Sequence, residues 1–438
     1  MKKRLLSATL VTAVVALLLS ACTAAPGSET FYSYDGATPL ASYRPGEILK
    51  SRTLSYHVLG LPTPVTAVQL LYRSTDVQGN PSANVTSILK PETPDPSKAV
   101  SYQSFYDSLD PADSPSRSVA GGITLGGLIN NVEAFLIGPL LDKGYTVVIP
   151  DTQGQDANFA AGPEYGYNTI DSIRAATRSA DTGLDRRTRF GLVGYSGGAI
   201  ATNWAAALAP TYAPDVNRQL VGFAEGGLLV SPANNLNYVS GSVVWAGIAA
   251  MATVGIGRSF DIDLDPYVND YGREILGRFE KASIINVLLQ YPGMTWEQLV
   301  KPEYADPNTI PAYVDAVNRV NLGSAPTPSI PGLIEQGANG VLEGTPGDRP
   351  GIGPGDGVMI AGDVRTLVRQ YCTTGNTSIK YTEYPHLSHI LTMLAWAPNA
   401  LEWIEARFAK EPAPSSCGRV ALGNSLAPEA IRPASPPS

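Results

Sequence analysis

The chain has 438 residues, of which 44% are hydrophobic and 16% are charged, and its formal net charge is −8 at pH 7. This composition is typical of a folded globular protein with a large core and excludes an intrinsically disordered chain. The acidic balance provides no basic surface for nucleic acid, and the length fits one large α/β domain with an insertion, or two domains.

Residues 1–21 predict an export signal. A basic start over residues 1–4 precedes an apolar run over residues 5–20, which indicates a cleaved signal and not a stable membrane anchor. Leu19-Ser20-Ala21-Cys22 also resembles the bacterial lipoprotein box. Cys22 is therefore the predicted lipidation site, through which the protein would be anchored to the outer face of the cell membrane. The alternative is an ordinary secretory signal and a secreted protein, with an incidental Cys22.

The two remaining cysteines, Cys372 and Cys417, are predicted to form a disulfide. Export places them in an oxidising compartment, and an even number remains once Cys22 is assigned to lipid. The bridge would close a loop that contains two of the three histidines of the chain.

The segments that follow the signal predict an α/β fold. Residues 22–45 are small and polar and indicate a tether or surface arm. Short alternating apolar runs over residues 46–90 predict an antiparallel start to a sheet. Strands and helices then alternate as far as residue 208, the pattern of a doubly wound, mostly parallel sheet. We assign residues 46–227 to the first part of this core.

Residues 189–199 carry the strongest chemical signal. An apolar strand-like run leads into a G-x-S-x-G turn over residues 194–198, and an alanine-rich segment with good helix propensity follows. Such a turn holds its serine in a strained backbone conformation, and the glycines avoid clashes with the adjoining strand and helix. The hydroxyl group then stands clear of the sheet, so Ser196 is the predicted nucleophile.

The sequence changes character over residues 228–325. Most of this segment is helical by pattern, and its longest apolar stretch, around Trp245, runs for about 16 residues, shorter than the roughly 20 that span a bilayer. We interpret residues 228–325 as a helical cap over the active site, with a plain core helix as the alternative for the apolar stretch. The sheet resumes over residues 326–417, and the Pro/Ala/Ser-rich residues 418–438 predict a disordered tail.

A serine nucleophile requires a general base that a carboxylate orients. His57 lies on an early predicted strand, where a structural role is expected, whereas His386 and His389 both follow the strand that ends at Tyr384. A chain of Ser–Asp–His order places its base there, and the spacing leaves both histidines open.

Several aspartates are candidates for the acid. Asp356 lies in a glycine-rich loop after a predicted strand, and Asp348 and Asp363 are its rivals. Asp363 opens a predicted helix and is more simply a first-turn residue.

An oxyanion hole requires two backbone N–H groups that point at the developing charge. Gly197 follows the nucleophile and is the first candidate; Asp107, or a neighbour within residues 105–108, is the second. No cluster of histidine and cysteine has metal-ligand spacing, so neither a metal nor an organic cofactor is expected.

Four stretches resemble the secretory lipase family typified by lipase A of Candida antarctica, and especially its exported actinobacterial members. They are residues 101–103 with Asp107, residues 194–199, residues 355–359 with Asp363, Tyr371 and Cys372, and Tyr384 with His389, Trp403, Arg407, Phe408 and Cys417. Their order and spacing cover residues 46–417. One departure from the family pattern is a Gly/Pro-rich segment, residues 344–355, that precedes Asp356.

The resemblance implies an α/β-hydrolase core with an inserted helical cap that lines a tunnel for an acyl chain. It also implies roles for individual residues: Ser196 as nucleophile, Asp356 as acid, His389 as base, Asp107 and Gly197 as oxyanion donors, and a disulfide between Cys372 and Cys417. The expected function is an exported carboxylic ester hydrolase, specifically a triacylglycerol lipase that acts on a lipid or ester through an acyl-enzyme. The alternatives are a short-chain esterase, an acyltransferase or peptidase on the same triad, or a surface-anchored binding protein whose hydrolase site has decayed.

Overall fold

The structure, a computed structural model, describes residues 29–433. Its centre is a nine-stranded sheet in the order β1-β2-β3-β5-β4-β6-β7-β8-β9. The strands are Ile48–Val58 (β1), Leu61–Thr75 (β2), Pro81–Lys90 (β3), Lys98–Gln103 (β4), Thr146–Pro150 (β5), Arg189–Tyr195 (β6), Leu220–Gly226 (β7), Gly332–Gly337 (β8) and Ile379–Tyr384 (β9).

The sheet begins antiparallel and continues parallel. Strands β1, β2 and β3 form two hairpins, and β3 pairs antiparallel with β5. From β5 onward all neighbouring strands are parallel. Every residue of β5 is buried, as expected where helices cover both faces of a parallel sheet. The predicted α/β class is confirmed.

The α-helices alternate with the strands and also fill the segment between β7 and β8. They are Pro115–Val119 (α1), Leu128–Val132 (α2), Ala134–Asp142 (α3), Gly162–Arg178 (α4), Gly197–Tyr212 (α5), Pro214–Asn217 (α6), Pro232–Val239 (α7), Ala246–Ser259 (α8), Asp270–Phe279 (α9), Ile284–Val287 (α10), Trp296–Leu299 (α11), Pro311–Arg319 (α12), Ala361–Thr373 (α13) and His389–Phe408 (α14). Short 3-10 helices cover Glu29–Tyr32, Leu40–Ser42, Pro111–Asp113, Ala180–Thr182, Pro302–Tyr304, Pro307–Thr309, Leu322–Ser324 and Gly340–Glu343.

Helices α4 and α14 cover opposite faces of the sheet. Helix α4 buries Ile170 and Ile173 in a cluster with the apolar side chains of β2 and α5. Helix α14 buries Trp396, Ala400 and Trp403 in a separate cluster with β6 and β8. Because these positions recur every three or four residues, each helix presents one apolar stripe to the sheet.

The insertion, residues 228–325, provides most of a third hydrophobic cluster, which it shares with core residues such as Phe159 and Met359. Helix α8 contributes Ile248 and Met251 to this cluster, and Phe279 of α9 packs there as well. No charged residue occurs between Glu225 and Arg258, so α8 can be buried on most of its surface. Over residues 29–433, none of the helices combines the length and the apolar character needed to cross a membrane.

The structure corrects the prediction for the C-terminal tail over residues 418–433. Val420 and Leu426 are buried in the cluster that includes α13, and the Asn424 side chain donates to Ile352 and Asp363 at 2.8 Å each. The predicted disulfide between Cys372 and Cys417 is present and holds the start of this segment against α13. The prediction rested on the Pro/Ala/Ser-rich composition of this segment, which does not reveal that a few of its residues pack against the core. The signal over residues 1–21, Cys22 and residues 434–438 lie outside the described residues.

Candidate active site

A sharp turn between β6 and α5 exposes Ser196 at the carboxyl end of the sheet. Ser196 has φ 54° and ψ −119°, a backbone conformation that only glycine adopts without strain. The flanking glycines are required by close contact: a Cβ atom on Gly194 would lie 2.2 Å from the Gly198 carbonyl oxygen, and one on Gly198 would lie 2.1 Å from the Gln103 carbonyl oxygen. The half-buried hydroxyl group therefore faces the space above the sheet.

His389 connects Ser196 to Asp356. Its Nε2 lies 2.8 Å from Ser196 Oγ, and its Nδ1 lies 2.8 Å from Asp356 Oδ2. A carboxylate can only accept, so Nδ1 carries the proton and Nε2 is free to accept from the serine. The ring is also fixed through its backbone, since the His389 N–H donates to the Asp356 carbonyl at 2.8 Å and Tyr195 Oη donates to the His389 carbonyl at 2.6 Å.

The Asp356 carboxylate is buried, and both of its oxygens accept hydrogen bonds. Oδ1 accepts from the N–H groups of Val358 at 3.1 Å and Met359 at 2.7 Å. Oδ2 accepts from Gln336 Nε2 at 2.8 Å in addition to His389. These donors stabilise the charged form of the carboxylate in the protein interior.

The electrostatic surroundings of His389 favour its protonated form. Burial lowers the pKa of His389, but the charge and hydrogen bond of Asp356, and more weakly Glu343 and Asp107, outweigh this and raise the pKa above its ordinary value. The neighbouring carboxylates thus stabilise the imidazolium that a general base becomes.

The rival residues from the sequence lie elsewhere. His386 is exposed in the loop after β9, and His57 on β1 pairs through Nδ1 with the Val119 carbonyl at 3.0 Å. Asp348 is exposed. Asp363 lies in the first turn of α13 and accepts from Asn234 and Asn424, so it ties that helix to α7 and to the C-terminal segment.

Asp107 lies directly beside the start of α5. A Cβ atom on Gly197 would be 1.9 Å from Asp107 Oδ1, and Asp107 has φ 33°, which marks a strained turn after β4. Burial is the main cause that raises the pKa of Asp107, to about 8. The charge of His389 opposes this shift, and the charge of Glu133 adds to it. The carboxyl group is therefore neutral at neutral pH and does not add an anion next to Gly197 and Ser196.

The loop that carries Asp107 is held from two sides. On the sheet side, the buried Glu133 accepts from Ser104 Oγ at 2.5 Å and from the Phe105 N–H at 2.9 Å. On the insertion side, the Ile284 N–H donates to the Asp107 carbonyl and the Leu109 N–H donates to the Ala282 carbonyl, both at 2.8 Å. The insertion thus fixes the backbone at Asp107 as firmly as the core does.

Ser196, Gly197 and Asp107 lie in the wall of an apolar pocket with a cavity volume of about 120 Å³. The insertion provides most of the wall, and Asp107 is the only acidic or basic residue in it. The lining includes Ile200, Leu229, Leu236, Ile248, Ala252, Ile256, Leu264, Leu276, Leu299, Val317 and Met359. Such a cavity suits a long apolar group whose reactive end reaches Ser196.

Sequence reasoning missed four residues around the imidazole. Gly227 has φ +61°, and a Cβ atom there would lie 2.6 Å from His389 Cε1. Gln336 donates to Asp356, the Trp245 and His389 ring centroids are 5.4 Å apart, and Glu343 accepts from Trp245 and from the N–H that follows His389. Gly227 and Gln336 lie at the ends of β7 and β8, where ligand sites occur in parallel sheets. Their place at predicted strand ends could have indicated a role in the site from the sequence. No sequence pattern near Trp245 or Glu343 indicates that they lie beside the imidazole.

The Asp356 carboxylate and the His389 ring are occupied by hydrogen bonds to protein groups. Among the residues that the structure describes, no group of His, Cys, Asp and Glu side chains is arranged to hold a metal ion.

The chain is similar to several known proteins. A model of the secretory lipase family matches residues 121–340 and 352–416. Lipase 4 of Candida albicans is 31% identical over 90% of this chain and 84% of its own length. A protein described as a probable inactive lipase of Mycobacterium tuberculosis is 30% identical over 88% of this chain and 83% of its own length.

The fold is shared with a solved structure. Candida antarctica lipase A in its closed state matches 92% of this chain and 91% of its own, with a TM-score of 0.78 and 24% sequence identity. The core is thus an α/β-hydrolase fold, and membership of a secretory family suggests an exported protein. From the family match and the identity to curated relatives, the chain belongs to the secretory lipase family and is a carboxylic ester hydrolase.

Proposed function

We propose that this protein is an exported triacylglycerol lipase that acts through an acyl-enzyme on Ser196. The observation that carries the proposal is the hydrogen-bonded series from Ser196 to His389 to Asp356, with both distances at 2.8 Å, at the wall of an apolar pocket. This is the arrangement that activates a serine for acyl transfer.

In the proposed reaction, His389 Nε2 takes the hydroxyl proton as Ser196 Oγ attacks the ester carbonyl. Asp356 stabilises the resulting imidazolium, which then gives the proton to the departing alcohol. A water molecule, activated by the same nitrogen, attacks the acyl-enzyme and releases the acid, and Ser196 regains its proton. Asp356 and Asp107 thus have separate roles, since Asp356 binds His389 Nδ1 whereas Asp107, with a pKa of about 8, is neutral at neutral pH.

The N–H groups of Gly197 and Asp107 are the proposed oxyanion donors. Gly197 begins α5, so its N–H is one of the free donors at a helix start. A charged carboxylate at Asp107 would repel the oxyanion, and its pKa of about 8 keeps it neutral at neutral pH. Donors of this kind contribute roughly 3 to 4 kcal/mol each to transition-state binding.

The pocket supports a long acyl chain as the group that the enzyme binds. Each buried methylene contributes about 0.8 kcal/mol, and the lining is apolar over most of its extent. A short acyl chain would contact fewer of these apolar side chains than a long one.

Export and anchoring are the remaining parts of the proposal. Cys22 follows a predicted signal and is the proposed lipid attachment site, which would hold the enzyme at the outer face of the membrane. A mass spectrum of the mature N-terminus tests this directly: a diacylated or triacylated Cys22 is expected, and an unmodified N-terminus beyond residue 22 contradicts it.

Hydrolysis of p-nitrophenyl esters of increasing chain length tests the activity, with Ser196→Ala as the control. The proposal expects kcat/KM to rise from acetyl to long acyl chains and to disappear in the control variant. Activity on acetyl and butyryl esters alone would identify a short-chain esterase. No activity on any ester would favour a binding protein with a decayed site.

A further inference from the structure

One buried carboxylate near the imidazole has no role in the mechanism above. Glu343 ends the 3-10 helix Gly340–Glu343 and is 7% exposed. Its Oε1 accepts from the Ile390 N–H at 3.0 Å, and its Oε2 accepts from Trp245 Nε1 at 2.7 Å. Both partners can only donate, so both oxygens accept, as those of an ionised carboxylate do.

The two partners of Glu343 adjoin His389 from different parts of the fold. Ile390 is the next residue along α14, whereas Trp245 stands at the start of α8 in the insertion. The Trp245 ring meets the imidazole edge to face, with an angle of 81° between the rings. Glu343 therefore joins the helix of the proposed base to the insertion at the place where both touch the ring.

The neighbouring backbone leaves room for this connection. Gly357 follows Asp356 and has φ +129°. A Cβ atom there would lie 2.8 Å from Glu343 Oε2 and 3.1 Å from Trp245 Nε1. Any side chain at position 357 would thus clash with the hydrogen-bonded pair of Glu343 and Trp245.

Glu343 lies next to the Gly/Pro-rich segment over residues 344–355. The match to the family model stops at residue 340 and resumes at residue 352. Position 343 falls in this interval, so Glu343 lies outside the residues that the family model matches.

We propose that Glu343 is a positioning residue for His389, which holds Ile390 and Trp245 around the ring and stabilises the imidazolium by its negative charge. The inference rests on the proposed function, in which His389 becomes positively charged when it takes the serine proton. A negative charge in a desolvated site lowers the free energy of that state, and the two hydrogen bonds keep the ring aligned with Ser196.

The charged and titratable groups that face the ring are few. Asp356 lies behind it and Asp107 lies across the nucleophile, while Tyr195 and Tyr238 lie near both Asp356 and Glu343. Burial raises the pKa of both tyrosines above the ordinary value, so they are neutral at working pH. Asp107, with a pKa of about 8, is neutral as well. Apart from Asp107, the carboxylates that raise the pKa of His389 are thus Asp356 and Glu343.

The pH profile of kcat/KM for p-nitrophenyl butyrate tests the proposal in Glu343→Gln. Glutamine has nearly the same shape, but it carries no charge and accepts only one of the two hydrogen bonds. Loss of the charge lowers the pKa of His389, so the acid limb of the profile should move to lower pH by about half a unit to one unit. We expect kcat to fall roughly tenfold while KM stays within about twofold.

The matched control is Glu335→Gln. Glu335 is also a buried carboxylate bound to α14, through Asn399 at 3.1 Å, and it accepts from Tyr384 Oη at 3.0 Å. It is not among the groups whose charge shifts the pKa of His389, so its variant should keep the wild-type acid limb. An unmoved acid limb in Glu343→Gln, even with a lower kcat, would reduce Glu343 to a structural residue and overturn the proposal.

A second variant, Trp245→Phe, keeps a ring beside His389 and the charge of Glu343 but removes the N–H. It should lower kcat several-fold and leave the acid limb in place, with the fold checked by the thermal unfolding midpoint. If Glu343→Gln does not fold, a wild-type kcat in Trp245→Phe would overturn the proposal. A fully active Ser196→Ala variant would instead refute the proposed function, so the two failures are distinguishable.

Discussion

The core and the insertion contribute different things to one site. The core provides the groups proposed to do the chemistry: Ser196, Asp356 and His389 follow β6, β8 and β9 at one edge of the sheet. The insertion provides most of the pocket wall and two hydrogen bonds to the backbone around Asp107. In the proposed function, strand ends thus hold the reactive groups, whereas the insertion helices form most of the surface that a substrate would contact.

This division teaches which properties are fixed and which are adjustable. The core groups are held by the backbone of a nine-stranded sheet and tolerate little displacement, because a small shift of an imidazole or hydroxyl disrupts proton transfer. The pocket wall is built from apolar contacts that accept changes of size at moderate energy. Substitutions in the core should therefore change kcat, and substitutions in the insertion should change chain-length preference.

The largest effect is expected from Asp356→Asn. Asparagine presents an N–H₂ or a neutral oxygen to His389 Nδ1, which favours the wrong tautomer and removes the charge that stabilises the imidazolium. We predict a fall in kcat of about 10³- to 10⁴-fold on p-nitrophenyl esters. Asp363→Asn is the matched control and should keep kcat within about twofold while it lowers the thermal unfolding midpoint. Equal losses in the two variants would contradict the assignment of the acid.

A backbone position in the core should have the next largest effect. In Gly227→Ala the new Cβ would lie 2.6 Å from His389 Cε1 and would displace the ring, so we predict a fall in kcat of about 10²-fold. Gly183→Ala has a similar φ of +78° with nothing within 4 Å of the new Cβ. This control should lose about 1 kcal/mol of stability and retain kcat, and a normal kcat in Gly227→Ala would show that the ring is not confined as described.

The insertion should respond differently. Ala252 on α8 lines the pocket, and Ala252→Phe should lower kcat/KM for long-chain esters by about tenfold through lost chain burial. Acetyl ester hydrolysis should stay within about twofold of wild type. Val254→Phe, on the same helix but outside the lining, should leave the chain-length profile unchanged. An equal loss on all esters in Ala252→Phe would contradict the claim that the insertion determines chain-length preference.

The smallest effect concerns the pH dependence that arises from Asp107, which lies where the core loop meets the insertion. The proposed activity requires neutral Asp107, whose pKa is about 8, so kcat/KM should fall a few-fold as pH rises from about 8 to 9. Asp107→Asn keeps the backbone N–H and cannot ionise, so this alkaline decline should disappear. A decline that persists in Asp107→Asn would assign it to another group.

Local patterns predicted the parts of the site that local structure builds. The turn at Ser196 was readable because five consecutive residues determine it, and the alternation of strands and helices was readable because each element has its own period. His386 and His389 were not separable by spacing, since both follow β9 within a few residues. Their difference is tertiary: His389 begins α14 beneath the insertion, whereas His386 stays exposed in the loop.

Contacts between distant segments were beyond sequence reasoning. Trp245 and Glu343 are 98 residues apart and meet only in the folded chain. The C-terminal segment was misread for the same reason, because its composition predicts disorder while Val420 and Leu426 find partners in a cluster that spans the sheet. Residue type indicates which side chains can be buried, whereas the tertiary fold determines which segments they pack against.

The central claim is that His389 activates Ser196, and covalent labelling tests it most directly. A long-chain alkylphosphonate p-nitrophenyl ester reacts with an activated serine, and peptide mass spectrometry identifies the labelled residue. We predict one phosphonate per chain, on Ser196, with a labelling rate at least about 10³-fold lower in His389→Ala. Labelling at another residue, or an unchanged rate in His389→Ala, would contradict the account.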